Sequence, residues 1–281
     1  MCRSEMSAAG SIDVMPSPPV LFSSAAFFAR PLSWTFRLAA ESGYRGVEVM
    51  VTKDPESQDP QRIQALAAEF GLAVGALHAP CLLLTRKVWG TDPIDKIDRS
   101  VEAAADAGIP VVVVHPPYRW QGAFRRWLVD ELPHVEERTG VVVAVENMFP
   151  VRLAGRDVTL HANQDLEALA GMHHVVLDTS HAAVAKHDPI EVRRLFGERL
   201  RHVHLSDNAG KGWDSHLPPG DGVLDIDGFL EDLARSAYDG AVSLEVDLRP
   251  SLGHPAKLET TMVGMRERTE LALASAGRST R

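Results

Sequence analysis

Residues 202–222 read His-Val-His-Leu-Ser-Asp-Asn-Ala-Gly-Lys-Gly-Trp-Asp-Ser-His-Leu-Pro-Pro-Gly-Asp-Gly. An apolar-alternating stretch, Leu200 to Leu205, carries His204 and runs into a glycine- and proline-rich loop holding Asp207, Asp214 and His216. Imidazole nitrogens and carboxylate oxygens on a backbone that can fold around a cation suit a divalent metal. Taken alone, such a loop is as easily a solvated polar turn. The same event recurs, however, because His78, His115, Glu146, Asp178 and Glu245 also stand at the ends of apolar stretches. His181 follows Asp178 by three residues in Leu-Asp-Thr-Ser-His, which brings the candidate ligands to nine. A lone histidine of this kind is usually a structural hydrogen-bonding residue, and a lone glutamate a cap or salt-bridge partner. Repetition at matching positions is what points to metal chemistry.

The elements that must position these residues alternate regularly. Strands are expected over 19–23, 46–50, 72–78, 111–115, 141–146, 175–178, 200–205 and 241–246. Helices are expected over 32–42, 59–70, 92–107, 122–137, 164–170, 189–196, 226–237 and 256–274, several of them closed by glycine. The run Val111-Val-Val-Val114 predicts a strand buried on both faces, as in a parallel sheet. Eight strands alternating with eight helices predict an α/β fold, the (β/α)8 TIM barrel. An open doubly wound sheet is the alternative, but no Gly-x-Gly-x-x-Gly follows the first strand. In a barrel all the C-terminal strand ends face one mouth, so residues remote in sequence converge there. The two-residue repeat of a strand puts Val142, Ala144 and Glu146 on one side, as it does His202 and His204, or Ser243 and Glu245.

The chain of 281 residues, 45% hydrophobic, is expected to form one barrel domain over 18–275, with a disordered tail at 1–17 and a short one at 276–281. Two cysteines, Cys2 and Cys81, make no disulfide framework, and neither a signal peptide nor a membrane-length apolar run is evident, so a cytoplasmic protein is expected. The formal charge of -9 leans against a broad basic nucleic-acid surface while leaving a DNA substrate open, since Glu146, Asp178, Asp214 and Glu245 would be offset by bound cations. A homo-oligomer is left open too. Of the other histidines, His134, His161, His173, His174, His187 and His254 are read as ordinary structural or surface residues, and His202 as a donor behind the ligands. Asp207 is read as a loop cap. Glu48, Trp120, Arg156 and Lys211 are the candidate substrate contacts, with Trp89, Phe149, Arg152 and Trp213 on neighbouring loops. Cys81 is read as a buried structural thiol.

Leu77-His-Ala-Pro80, Val114-His115, Val145-Glu-Asn147, Leu177-Asp-Thr-Ser-His181, His202-Val-His-Leu-Ser-Asp207, Asp214-Ser-His216 with Pro218-Pro-Gly-Asp-Gly222, and Leu244-Glu245 resemble the xylose isomerase-like barrel superfamily. That group holds sugar and sugar-phosphate isomerases and epimerases, and also abasic-site nucleases of the endonuclease IV type. The resemblance covers roughly residues 19–250. It implies two competing activities. In the first, Glu146, Asp178, His204 and Glu245 hold one divalent ion (Mn, Co, Mg or Zn), Glu146 and Glu245 exchange a substrate carbon proton, and His181 holds a substrate oxygen. The substrate is then a small carbohydrate, a sugar phosphate or a related keto-sugar. In the second, all nine positions hold three zinc ions: His78, His115 and Glu146; Glu146, Asp178, His204 and Glu245; His181, Asp214 and His216. The ions then cleave a phosphodiester in abasic DNA. The loop's form resembles the isomerase-like members more. One departure stands out: epimerase members place an arginine shortly after the seventh-strand histidine, where this chain reads Asp207-Asn-Ala-Gly-Lys211.

Overall fold

The structure is a computed structural model that describes residues 17–80, 85–153, 155–162, 164–236 and 238–276. Cys2, Cys81 and nearly all of the two expected tails lie outside the described residues. Strands β1 (Val20–Ser23), β2 (Gly46–Met50), β3 (Ala73–His78), β4 (Val111–Val114), β5 (Val142–Glu146), β8 (Val175–Asp178), β9 (Leu200–Leu205) and β10 (Ala241–Leu244) close into one parallel barrel. Closure runs through β1, which pairs with β2 on one side and β10 on the other. Between β5 and β8, where a plain loop was expected, β6 (Val151–Leu153) and β7 (Arg156–Val158) form an antiparallel hairpin. Alternating Val151 and Leu153 with a turn at Gly155 carry its signal.

The helices are α1 (Leu32–Glu41), α2 (Pro60–Phe70), α3 (Pro93–Ala107), α4 (Gly122–Asp130), α5 (Leu132–Thr139), α6 (Leu166–Ala170), α7 (Thr179–Val184), α8 (Pro189–Phe196), α9 (Ile226–Arg235) and α10 (Pro255–Ala276). Asp59 and Asp92 cap α2 and α3 by accepting first-turn N–H groups, each followed by a proline whose missing N–H costs nothing there. Both helices stop at a glycine in the left-handed region, Gly71 and Gly108. The single helix expected over 122–137 is two, broken at Glu131, because Pro133 lacks the N–H that a continuous helix would need at that point.

Two packing layers follow from strand alternation. The outer layer, between strands and helices, holds the large side chains, among them Phe22, Phe36, Ile63, Leu77, Ile97, Phe196 and Phe229, all essentially inaccessible. Inside the barrel one half is lined by the small apolar set Ala76, Val113, Ala144 and Val176. The other half carries Ser23, Glu48, His202 and Ser243, each with no exposed surface. No helix among the described residues is long and apolar enough to cross a membrane.

Candidate metal centre

Glu146 ends β5, Asp178 ends β8, His204 is the penultimate residue of β9, and Glu245 follows β10 directly. Strand alternation turns all four inward at the mouth. One donor atom from each lies within 4.8 Å of the others. His204 Nδ1 stands at the middle, 2.9 Å from Glu146 Oε1, 2.7 Å from Glu245 Oε2 and 4.0 Å from Asp178 Oδ2. Glu146 Oε2, Asp178 Oδ2 and Glu245 Oε2 are buried and accept no well-formed hydrogen bond, although the first touches His115 and the third His204. Leaving one buried polar atom unsatisfied costs about 1–3 kcal/mol, and more when it is charged. Three carboxylate oxygens in that state around one imidazole are what a divalent cation satisfies, and an oxygen-rich set with one nitrogen suits Mn, Co, Mg or Zn. The residues therefore fit the ion that such a barrel implies.

Their aim is built locally. Asp178 divides its carboxylate: Oδ1 accepts the His181 N–H at 2.7 Å, capping α7, while Oδ2 stays free for the centre. Asn147 locks β5 to β8, its Nδ2 donating to Asp178 O at 3.1 Å and its Oδ1 accepting the Asp178 N–H at 2.7 Å. The carboxylate of Asp207 accepts four backbone N–H groups, from Asn208, Gly220, Gly222 and Leu224, at 2.8–3.0 Å. It is the hub of the loop. A Cβ on Gly222 would lie 2.2 Å from Asp207 Oδ1 and 2.3 Å from Asn208 O, so this close approach requires glycine. The loop so clamped presents Asp214 and His216. His216 has φ 39, a left-handed conformation rare outside glycine, held by its ring against Ser206 Oγ and Glu245 O.

The remaining candidates gather around the same point. His115 Nε2 is 3.1 Å and His78 Nε2 3.7 Å from Glu146 Oε2. Asp214 Oδ2 sits between His216 Nε2 at 2.7 Å and His181 Nε2 at 3.3 Å, and Ser180 Oγ donates to its other oxygen at 2.6 Å. All nine are thus brought to one mouth.

Glu48, expected to touch substrate, has no exposed surface. Its Oε2 accepts from His202 Nε2 at 2.6 Å and from His204 Nε2 at 3.1 Å, and its Oε1 from Ser23 Oγ at 3.2 Å. Glu48 lies beneath the centre and off the surface a substrate reaches, because the inward face of β2 opens onto the barrel interior below the mouth. The pairing His204–Glu48 holds a proton on Nε2, so that an ion taking the place of the Nδ1 proton would find Nδ1 as its ligand, with His202 on the same carboxylate. The alternation of Val47, Glu48 and Val49 was the signal for this inward face.

Trp120 lies flat on Tyr118 with centroids 4.8 Å apart, and Tyr118 stacks on His161. These rings, with His115, Arg86 and Lys96, line a cavity of 460 Å³ opening beside the centre. Arg156 is an exposed residue of the hairpin, and Lys211 Nζ is 5.8 Å from the ring centroid of Trp213.

The electrostatics are those of a negative well. Burial pushes the Glu146 carboxyl up, but the charges of His204 and His181 outweigh it and hold it well below the usual range. Glu245 is also lowered, by His204 against burial. Asp178 is pushed up to about 6, chiefly by burial. Burial opposes charge on His204, His181 and His216, yet the surrounding carboxylates raise all three, His216 to about 10. A divalent cation competes with those protons for the same oxygens.

A closed (β/α)8 barrel with His, Asp and Glu converging at its mouth defines the class. The sequence model described as xylose isomerase-like TIM barrel matches residues 36–267, and the chain belongs to that family. An uncharacterized protein of Mycobacterium tuberculosis is 38% identical over 253 residues, covering 82% of this chain and 89% of its own length. An inosose dehydratase of Lacticaseibacillus casei is 22% identical over 246 residues, 76% of this chain and 81% of that protein. Among solved structures, a D-tagatose 3-epimerase-like protein superposes with a TM-score of 0.72 at 23% identity, covering 94% of this chain and 100% of that one.

Proposed function

We propose that the chain is a divalent-metal-dependent isomerase or epimerase of a sugar, sugar phosphate or related keto-sugar, with Glu146 and Glu245 exchanging a substrate carbon proton. The observation that carries this reading is the convergence of three buried carboxylates on His204, each with an oxygen that accepts no well-formed hydrogen bond. Glu146, Asp178, His204 and Glu245 would hold the ion. When bound, a divalent ion supplies Lewis acidity to adjacent carbonyl and hydroxyl oxygens, lowering the pKa of the carbon-bound proton between them. Glu146 ends β5 and Glu245 follows β10, three strands further round the barrel, and in this reading the two carboxylates would face the substrate from different strands. One removes the proton and the other returns it. His181, whose Nδ1 is anchored on Asn147 O at 2.9 Å, would hold a substrate oxygen through Nε2. The cavity along Tyr118 and Trp120 takes the rest of a small carbohydrate on an aromatic wall. A base that takes a proton from carbon serves epimerase and dehydratase chemistry alike, the activities in the names of the two similar proteins cited above.

The test is deuterium wash-in from D2O into a panel of ketoses and sugar phosphates. Glu146→Gln and Glu245→Gln are each expected to lower exchange by at least 10²-fold, the scale of one acid-base group. His78→Ala is expected to be milder, and equal collapse of all three variants counts against the reading.

A second reading is a zinc phosphodiesterase acting on abasic DNA, favoured by the convergence of all nine donors at one mouth. Three zinc ions per mouth and cleavage of an abasic duplex would replace the first reading with this one. One ion at the mouth leaves His78, His115, Asp214 and His216 as substrate-facing groups.

A further inference from the structure

At the opposite end of the barrel, three donors from two elements meet where the chemistry above does not need them. Glu136 lies on α5, while His173 and His174 form the bend that leads into β8. This is the N-terminal end of β5 and β8, about 10–13 Å along the strands from the mouth. Consecutive side chains of an extended chain point to opposite sides. The bend at 172–174 instead turns both imidazoles to one carboxylate. His174 Nδ1 donates to Glu136 Oε1 at 2.7 Å and His173 Nδ1 to Oε2 at 2.5 Å, with the ring centroids 4.2 Å apart. Glu136 is only 7% exposed and is held in place because Oε1 also accepts the Val143 N–H at 2.7 Å. The three donor atoms all lie within 4.8 Å of one another.

We propose that Glu136, His173 and His174 form a second divalent-metal site, structural in role, that takes zinc or a similar borderline ion and ties α5 to the entry of β8. The donor set differs from the mouth's: two imidazole nitrogens and one carboxylate suit zinc, copper or nickel, whereas one nitrogen among three carboxylates is the harder set. Binding takes the lone pair of each Nδ1, so the N–H of each bound ring stands on Nε2. Water completes the coordination. On a tetrahedral zinc, neighbouring donors stand about 3.3 Å apart, so the rings move outward from the carboxylate by roughly 0.6–0.8 Å. His173, whose side chain is 56% exposed, has room to make that movement. The N-terminal face of such a barrel is where stability rather than catalysis resides, which fits a cross-link there.

The experiment uses the full chain stripped with chelator and titrated with zinc against a chromophoric chelator. Wild type is expected to bind one zinc equivalent more than His173→Ala, with deuterium exchange at the mouth unchanged. Glu136 is kept because Val143 depends on it. In a Glu146→Gln/Glu245→Gln background, zinc at roughly 100-fold over its Kd is expected to raise Tm by about 5 °C more than in the same background with His173→Ala. Equal zinc stoichiometry in wild type and His173→Ala overturns the proposal, as does a rise in Tm that is as large with His173→Ala as without it. Metal counting at the mouth then belongs on the His173→Ala background, where this extra ion does not inflate the count.

Discussion

Replacing Glu48 by glutamine isolates what the buried layer beneath the mouth does. One oxygen of Glu48 accepts from both His202 Nε2, at 2.6 Å, and His204 Nε2, at 3.1 Å. Burial pushes its carboxyl up, but the two imidazoles outweigh that and hold it well below the usual range, so it is ionised. Glutamine has the same shape and keeps one acceptor oxygen. With that oxygen facing the two rings, both N–H groups stay satisfied, and the new amide N–H₂ faces Ser23 Oγ, which accepts as readily as it donates. The fold is therefore expected to survive, and only the negative charge is lost. That charge makes His204 Nδ1 a better donor, and losing such an outer partner typically weakens a metal site 10–100-fold. This corresponds to about 1.4–2.7 kcal/mol. The assay is competition with a chelator of known affinity on the stripped chain, alongside a melting curve. A Kd within threefold of wild type, with Tm unchanged, would refute the idea that Glu48 anchors His204. Glu48→Ala is the contrasting variant. It leaves two buried imidazole N–H groups without an acceptor and is expected to destabilise the barrel by roughly 3–5 kcal/mol.

Two further variants probe the frame around the site. Asp207→Ala removes the acceptor of four backbone N–H groups and is expected to cost about 2–4 kcal/mol in urea unfolding, with exchange activity falling as Asp214 and His216 lose their support; an unchanged midpoint contradicts the hub. His161 is held to about 4, chiefly by burial, with its Nδ1 on Pro116 O at 2.7 Å. Its folded value lies below the unfolded one of about 6.5, so the unfolded chain binds the extra proton between the two. Its contribution is complete above pH 6.5 and is lost as pH falls towards 4, by at most about 3 kcal/mol. Unfolding of His161→Gln is expected to show a flatter pH dependence over that window, and parallel profiles for the two proteins would show that His161 is not its source.

What the sequence reveals of this molecule depends on how far apart the cooperating residues lie. The mouth is legible because each strand announces itself and alternation fixes which way its last residue points; Val142, Ala144 and Glu146 need no partner to be read. The six-residue α7 is hidden for the opposite reason. Its cap, Asp178, is read as a ligand, and in the structure Oδ1 caps the helix while Oδ2 accepts no hydrogen bond. The pair Glu136 and His173 lies 37 residues apart on two elements, and the pair Glu48 and His202 lies 154 apart. Neither leaves a local trace beyond a polar residue in an apolar pattern.

That trace is informative once the barrel is granted. The interior of a (β/α)8 barrel is ordinarily filled by branched apolar layers. Here Ala76, Val113, Ala144 and Val176 follow that rule on one side, whereas Ser23, Glu48, His202 and Ser243 break it on the other. Burying ionised Glu48 among these groups is costly unless its partners are complete, and its carboxylate is satisfied by two imidazoles and a hydroxyl. The polar half lies under His204, the residue at the middle of the candidate ligand set. An inward-facing polar residue is therefore the feature to seek in such a strand pattern, because burying it is costly unless its partners are complete.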